Sequence, residues 1–119
     1  MLDQEINEKL AKAVGFTFID RRDYGVDIWM LPGEKYPGGN AVSHLPDFLN
    51  DMNACLKIIW PVLEKRGANA IQFRTDHGRI KCCLRFTGKW TPWEVAEFHA
   101  TAFCLTALKA LKYFEEIGL

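Results

Sequence analysis

The sequence predicts an α+β domain: three helices packed on a small antiparallel sheet of three strands, in the order helix, strand, helix, strand, strand, helix. Two observations carry this. Residues 70–86 alternate as a hairpin, and apolar positions over 3–14, 50–66 and 92–116 recur at helical spacing. A third is length, because 119 residues suit a single domain, 1–119, with an ordinary core.

Residues 3–14 read as the first helix. Leu2, Ile6, Leu10 and Val14 recur every four residues, and Gly15 ends the run. Residues 16–19 begin an extended segment. Arg21-Arg22-Asp23-Tyr24-Gly25 reads as a turn. Val26, Ile28 and Met30 alternate with Asp27 and Trp29, which gives a strand that Pro32-Gly33 stops. Residues 32–46 form the longest irregular stretch, with Tyr36, Pro37-Gly38-Gly39-Asn40, Ser43 and His44 in it. A loop of this length is either a functional segment or a plain crossover.

The second helix spans 50–66. Asn50 is its cap, and Met52, Cys55, Leu56, Ile59 and Leu63 form its core stripe. Pro61 lacks the N–H that would bond residue 57, which predicts a kink or a break. Lys65, Arg66 and Gly67 suit a helix end.

In the hairpin, Ile71 and Phe73 alternate with Gln72 and Arg74. Asp76-His77-Gly78-Arg79 supplies the turn, and Ile80, Cys82, Leu84 and Phe86 alternate with Lys81, Cys83 and Arg85. Gln72, Arg74, Lys81, Cys83 and Arg85 then share one face. The final helix is expected over 92–116. Thr91 is its cap, Pro92 its first residue and Glu94 the partner in a capping box.

Composition excludes several classes. Fifteen basic and fifteen acidic residues cancel, so no global field draws the chain onto nucleic acid or anionic lipid. An apolar fraction of 49% at zero net charge argues against disorder. No stretch approaches the roughly twenty apolar residues of a membrane span. Residues 1–8 hold three acids and no apolar run, which argues against a signal peptide. Four cysteines without such a signal point to reduced thiols in a cytoplasm, packed as small hydrophobes.

The candidate chemistry is local. Residues 70–89 hold Arg74, Arg79, Lys81, Arg85 and Lys89 against Asp76 alone, and Trp90 and Trp93 follow. Cationic strands beside aromatic rings suit a single-stranded nucleic acid, because phosphates need charge and bases need a stacking face. The plainer reading is a solvated sheet face with both tryptophans anchoring a helix start. Trp60 and Trp93 are the candidates for a protein partner or a homodimer contact, since exposed tryptophans commonly anchor interfaces.

Cys82, Cys83, Cys104, His77 and His99 are nominal metal ligands, but no pair has zinc-site spacing, so neither metal nor cofactor is expected. Ser43 is the one serine, and no nucleophile elbow or phosphate loop is present. The alternative to a binding module is a small enzyme with its site at the 32–46 loop.

Trp29-Met30-Leu31-Pro32-Gly33, then Leu45-Pro46-Asp47-Phe48-Leu49-Asn50-Asp51-Met52-Asn53-Ala54-Cys55, precede a closing Ala102-Phe103-Cys104-Leu105-Thr106-Ala107-Leu108-Lys109-Ala110. With Ala13-Val14-Gly15-Phe16 ending the first helix, this order resembles the phage ABA sandwich domain proteins, small products of tailed bacteriophages and prophages. Phe16 stands where tryptophan is expected, and Leu49 where a small hydroxyl residue is common. The resemblance implies helix/sheet/helix layering, a phage origin and residence in the bacterial host's cytoplasm. It brings no catalytic residues. The function expected is a non-catalytic accessory protein that binds a protein or nucleic-acid partner.

Overall fold

The computed structural model describes residues 2–19, 27–34 and 39–117. They are α+β, with three helices and two antiparallel sheets among the described residues. The chain divides into two compact units, 1–46 and 47–119. No helix of the described residues is long and apolar enough to cross a membrane.

In the first unit, α1 covers Asp3–Ala13 and buries Ile6 and Leu10 of the predicted stripe together with Ala11; Val14, just past its end, is buried too, while Leu2, ahead of the first turn, is exposed. Gly15 ends it with φ +111°, a left-handed conformation. A Cβ there would come within 3.2 Å of the Pro32 Cβ. Three short strands follow: β1 (Thr17–Ile19), β2 (Ile28–Met30) and β3 (Ala41–Val42). They form an antiparallel sheet in chain order, with Phe18 opposite Trp29 and Met30 opposite Ala41.

Two expectations change here. Strict alternation placed Trp29 outward, yet Trp29 and Met30 are both buried. Phe18 meets the Trp29 ring at 5.2 Å and the Lys12 ammonium lies 5.9 Å from it, so one face of β2 is covered from within the unit. The 32–46 stretch is not structureless, because β3 lies in it. The expected turn at 21–25, Val26, Tyr36 and Pro37-Gly38 lie outside the described residues.

In the second unit, a 3₁₀ turn (Phe48–Asn50) leads into α2. This helix is α over Met52–Ala54, π over Cys55–Ile59 and α again over Trp60–Lys65. Its cap is Asp51, whose carboxylate accepts the Ala54 N–H at 3.1 Å. Asn50, the expected cap, instead donates to the Asp47 carboxylate. Pro61 neither breaks α2 nor sits in a regular turn. The Trp60 N–H reaches back five residues to the Cys55 carbonyl, and this wider turn precedes a proline that cannot donate.

Strands β4 (Ala68–Asp76) and β5 (Arg79–Phe86) form the predicted hairpin. His77 and Gly78 both have positive φ, 52° and 78°, the two-residue turn whose twist matches paired strands. The other edge of β5 is shared. Strand β6 (Lys89–Trp90) pairs with its end and β7 (Glu94–Ala96) with its start.

The segment 91–96 is therefore not helical, and α3 covers His99–Glu116. The capping-box reading of Thr91 and Glu94 fails because β5 has an unpaired edge, and bonding it satisfies more backbone groups than one extra helical turn. The observed order in this unit is helix, four strands, helix, and the single three-stranded sheet expected is instead two sheets: Ile28–Met30, expected in one sheet with the hairpin, pairs with β1 and β3, while the hairpin sheet is completed by β6 and β7.

One sheet face packs on α3. Cys82 and Leu84 on β5 and Ala102, Phe103, Thr106, Ala107 and Ala110 on α3, which packs against that strand, are all buried. The alanines let the helix lie close to the strands. The Thr106 hydroxyl lies 2.8 Å from the Ala102 carbonyl and 3.2 Å from that of Cys82, one donor tying helix to strand. Phe48 and Phe103 are fully enclosed, each contributing about 1.5–3 kcal/mol by burial.

Candidate nucleic-acid interface

The other face of this sheet carries the candidate site. Strand alternation fixes its membership. Register pairs Gln72 with Cys83, Arg74 with Lys81 and Asp76 with Arg79, while Arg85 lies beside both Ala70 and Trp90, and Val95 beside Lys81. Arg74, Arg79, Trp90, Trp93 and Val95 are exposed. This face collects four cations, Arg74, Arg79, Lys81 and Arg85, against Asp76.

Two of the cations are stacked. The Arg74 guanidinium lies 5.7 Å from the Trp93 ring centre, and that of Arg85 lies 5.8 Å from the Trp90 ring. Arg85 is further held by donating from Nε to Asn69 Oδ1 at 2.9 Å. Trp90 and Trp93 are 47% and 37% exposed, so the rings remain available to a ligand. Between the two pairs sits Cys83, buried, with its thiol 3.8 Å from Gln72 Oε1. Burial raises the Cys83 pKa, and the nearby Arg74 charge offsets part of this.

Lys81 is engaged differently. Its ammonium lies 2.8 Å from Asp76 Oδ2, and His77 Nδ1 lies 2.6 Å from Asp76 Oδ1. The Lys81 hydrogen bond, then that of His77, pulls the Asp76 carboxyl below its ordinary range. Arg79 has no carboxylate partner among the described residues.

The structure thus gathers Arg74, Arg79, Lys81, Arg85, Trp90 and Trp93 and separates two other candidates from them. Lys89 pairs with Phe86, whose register position faces α3, so it leaves the basic face. Trp60 sits half-buried on α2. Trp93 joins the cations because its segment runs along β5 and does not open a helix. Asn69 was missed, since a register shift between Ala68 and Ala70 interrupts the alternation that would have flagged it.

Around the 32–46 loop, Ser43 and His44 are both exposed. His77 is a turn residue, and the ring of His99 packs edge-on to Phe73 at 4.9 Å. Among the described residues no three His, Cys, Asp or Glu side chains converge to hold a metal ion. All four cysteines are free and buried. Cys82 and Cys83 point to opposite faces as expected, Cys82 inward, where burial pushes its thiol up to about 11. The Cys55 and Cys104 sulfurs lie 3.6 Å apart in the core, and the Cys55 thiol lies 3.0 Å from the Phe48 carbonyl.

No protein-family model matches this chain, and no curated protein or solved structure is significantly similar to it.

Proposed function

We propose that the protein binds single-stranded nucleic acid on the outer face of its four-stranded sheet, without catalysis, as an accessory protein of a bacteriophage or prophage. One observation carries the binding reading: two arginine–tryptophan stacks, Arg74–Trp93 and Arg85–Trp90, stand exposed on one sheet face. Indole rings and guanidinium planes both accept unstacked bases, and the Arg74 guanidinium, with the Nη groups of Arg85, supplies donors for phosphate while Asn69 holds Arg85 Nε. The flat pleated surface suits an extended strand whose bases are splayed out. A neutral chain gives no long-range pull, so the binding is local and short. The likeness of the quoted segments to the phage ABA sandwich proteins supports the accessory role.

Fluorescence anisotropy with labelled single-stranded and duplex oligonucleotides, DNA and RNA, tests the reading. Single strands should bind more tightly than duplex. With Arg74, Arg79 and Arg85 as phosphate contacts, log K should fall with log salt at a slope of about −2. Arg74→Glu with Arg85→Glu should abolish binding while the circular dichroism spectrum stays unchanged. Duplex preference, or undiminished binding by the folded double variant, would reject it.

A further inference from the structure

On the helix side of the same sheet, a cavity of about 560 Å³ opens between β6 and the second half of α3. It exists because the chain leaves the sheet after two residues of β6, while α3 presents small side chains, Thr106 and Ala110, where a large one would close the gap. Its walls are apolar and aromatic: Phe86, Trp90, Pro92, Tyr113, Phe114 and Ile117. Phe86 and Phe114 meet edge-to-face at 5.2 Å. Tyr113 and Ile117 stand 57% and 49% exposed, large side chains facing water.

The charged groups on the wall are Lys89, Lys109 and Glu94. Lys109 is held by Glu94, with its ammonium 2.8 and 3.0 Å from the two carboxylate oxygens. Lys89 has no acidic partner among the described residues. The cavity therefore has a long apolar wall and one uncompensated cation. Its volume falls in the range that encloses small ligands.

We infer that this cavity binds an amphiphile with an apolar chain and one carboxylate, of the medium-chain fatty acid class. The chain lies along Phe86, Tyr113 and Phe114, and the carboxylate meets the Lys89 ammonium. A single lysine without clustered donors does not suit a phosphorylated ligand, which takes several charge-assisted bonds. Of the residues on the basic face, Trp90 alone also borders the cavity, so Trp90 can report on the second site.

The test is isothermal titration of the full chain with dodecanoate below its aggregation concentration, alongside tryptophan fluorescence. Dodecanol is the neutral control. Dodecanoate should bind saturably with one-to-one stoichiometry, and more tightly than dodecanol. Lys89→Gln should weaken dodecanoate by up to about fivefold, the scale of an exposed ion pair, and leave dodecanol unchanged. Ala110→Trp, which fills the cavity, should abolish binding. Should that variant not fold, Ile117→Glu at the exposed rim should weaken dodecanoate through lost apolar contact and like charge. Arg74→Glu, a residue that stacks on Trp93 and does not line the cavity, should leave it untouched, so a failure of the nucleic-acid reading stays distinguishable. The inference is overturned by an absence of saturable binding, by dodecanol binding as tightly as dodecanoate, by binding that survives in the folded Ala110→Trp protein, or by undiminished binding in the Ile117→Glu protein.

Discussion

Thr91 holds both backbone groups of Leu84. Its N–H donates to the Leu84 carbonyl at 2.8 Å, and its Oγ1 accepts the Leu84 N–H at 2.9 Å. One residue thus completes the β5 edge between the short pairings of β6 and β7. Thr91→Val keeps the shape and removes the acceptor, leaving a part-buried N–H unpaired. It should lower unfolding stability by about 1–3 kcal/mol in urea, and Thr91→Ser should recover most of the loss. Equal midpoints for the two variants would show that the Leu84 N–H does not depend on this hydroxyl.

The stacked tryptophans make a separate prediction from the cations. Trp93→Ala and Trp90→Ala should each weaken single-strand binding by about 1–3 kcal/mol, with little change in salt slope, because a ring carries no charge. Arg74→Ala should instead reduce the steepness of the slope by about 0.7. Anisotropy titrations across a salt series separate the two effects. A tryptophan variant that changed only the slope would contradict the stacking role.

The hairpin turn is open to improvement. His77 occupies a positive-φ position with φ 52°, where asparagine is the residue of choice before glycine. His77→Asn should raise the melting temperature slightly. Gly78→Val should lower stability by about 1–2 kcal/mol, because a β-branched side chain is strained at φ 78°. Thermal unfolding followed by circular dichroism decides both.

Burial of Cys82 links stability to alkaline pH. Its folded pKa of about 11 lies above the ordinary thiol value of 9.0. The unfolded chain therefore gives up this proton first. The contribution is fully present below pH 9.0 and is lost as pH rises towards about 11. Urea midpoints should fall across that window, and Cys82→Ala should fall less steeply than the parent protein. Parallel curves for the two would remove Cys82 as a source of the slope.

Asp76 gives the opposite sign at acid pH. Its carboxyl is held below the ordinary range, first by the Lys81 hydrogen bond and then by His77. Its contribution is present above the unfolded pKa and is lost as pH falls through the folded one. A carbon-detected NMR titration should place its midpoint low, and Lys81→Gln should move that midpoint upward. An unmoved midpoint would mean that the 2.8 Å contact does not persist in solution.

The sequence by itself determined what rests on local pattern. The alternation over 70–86 gave the hairpin, its turn and the sharing of one face by Arg74, Lys81 and Arg85. The four-residue spacing of Ile6 and Leu10 gave α1, and Gly15 its end. These signals are legible because a strand turns its side chains over every residue and a helix repeats about every 3.6.

Tertiary structure decided whatever depended on a distant edge or partner. Thr91, Pro92 and Glu94 are good helix-start residues, yet the unpaired edge of β5 took that segment as strand and put Trp93 beside Arg74. Lys89 belongs to the same basic run as Arg85, but its register opposite Phe86 sends it to the other face. Asp51 caps α2 although Asn50 is as good a cap, because a 3₁₀ turn takes Asn50. The cavity beside α3 has no local signature, since it is the space left where β6 stops short. Local propensities of a few tenths to about one kcal/mol yield to a row of backbone hydrogen bonds formed with a strand elsewhere in the chain.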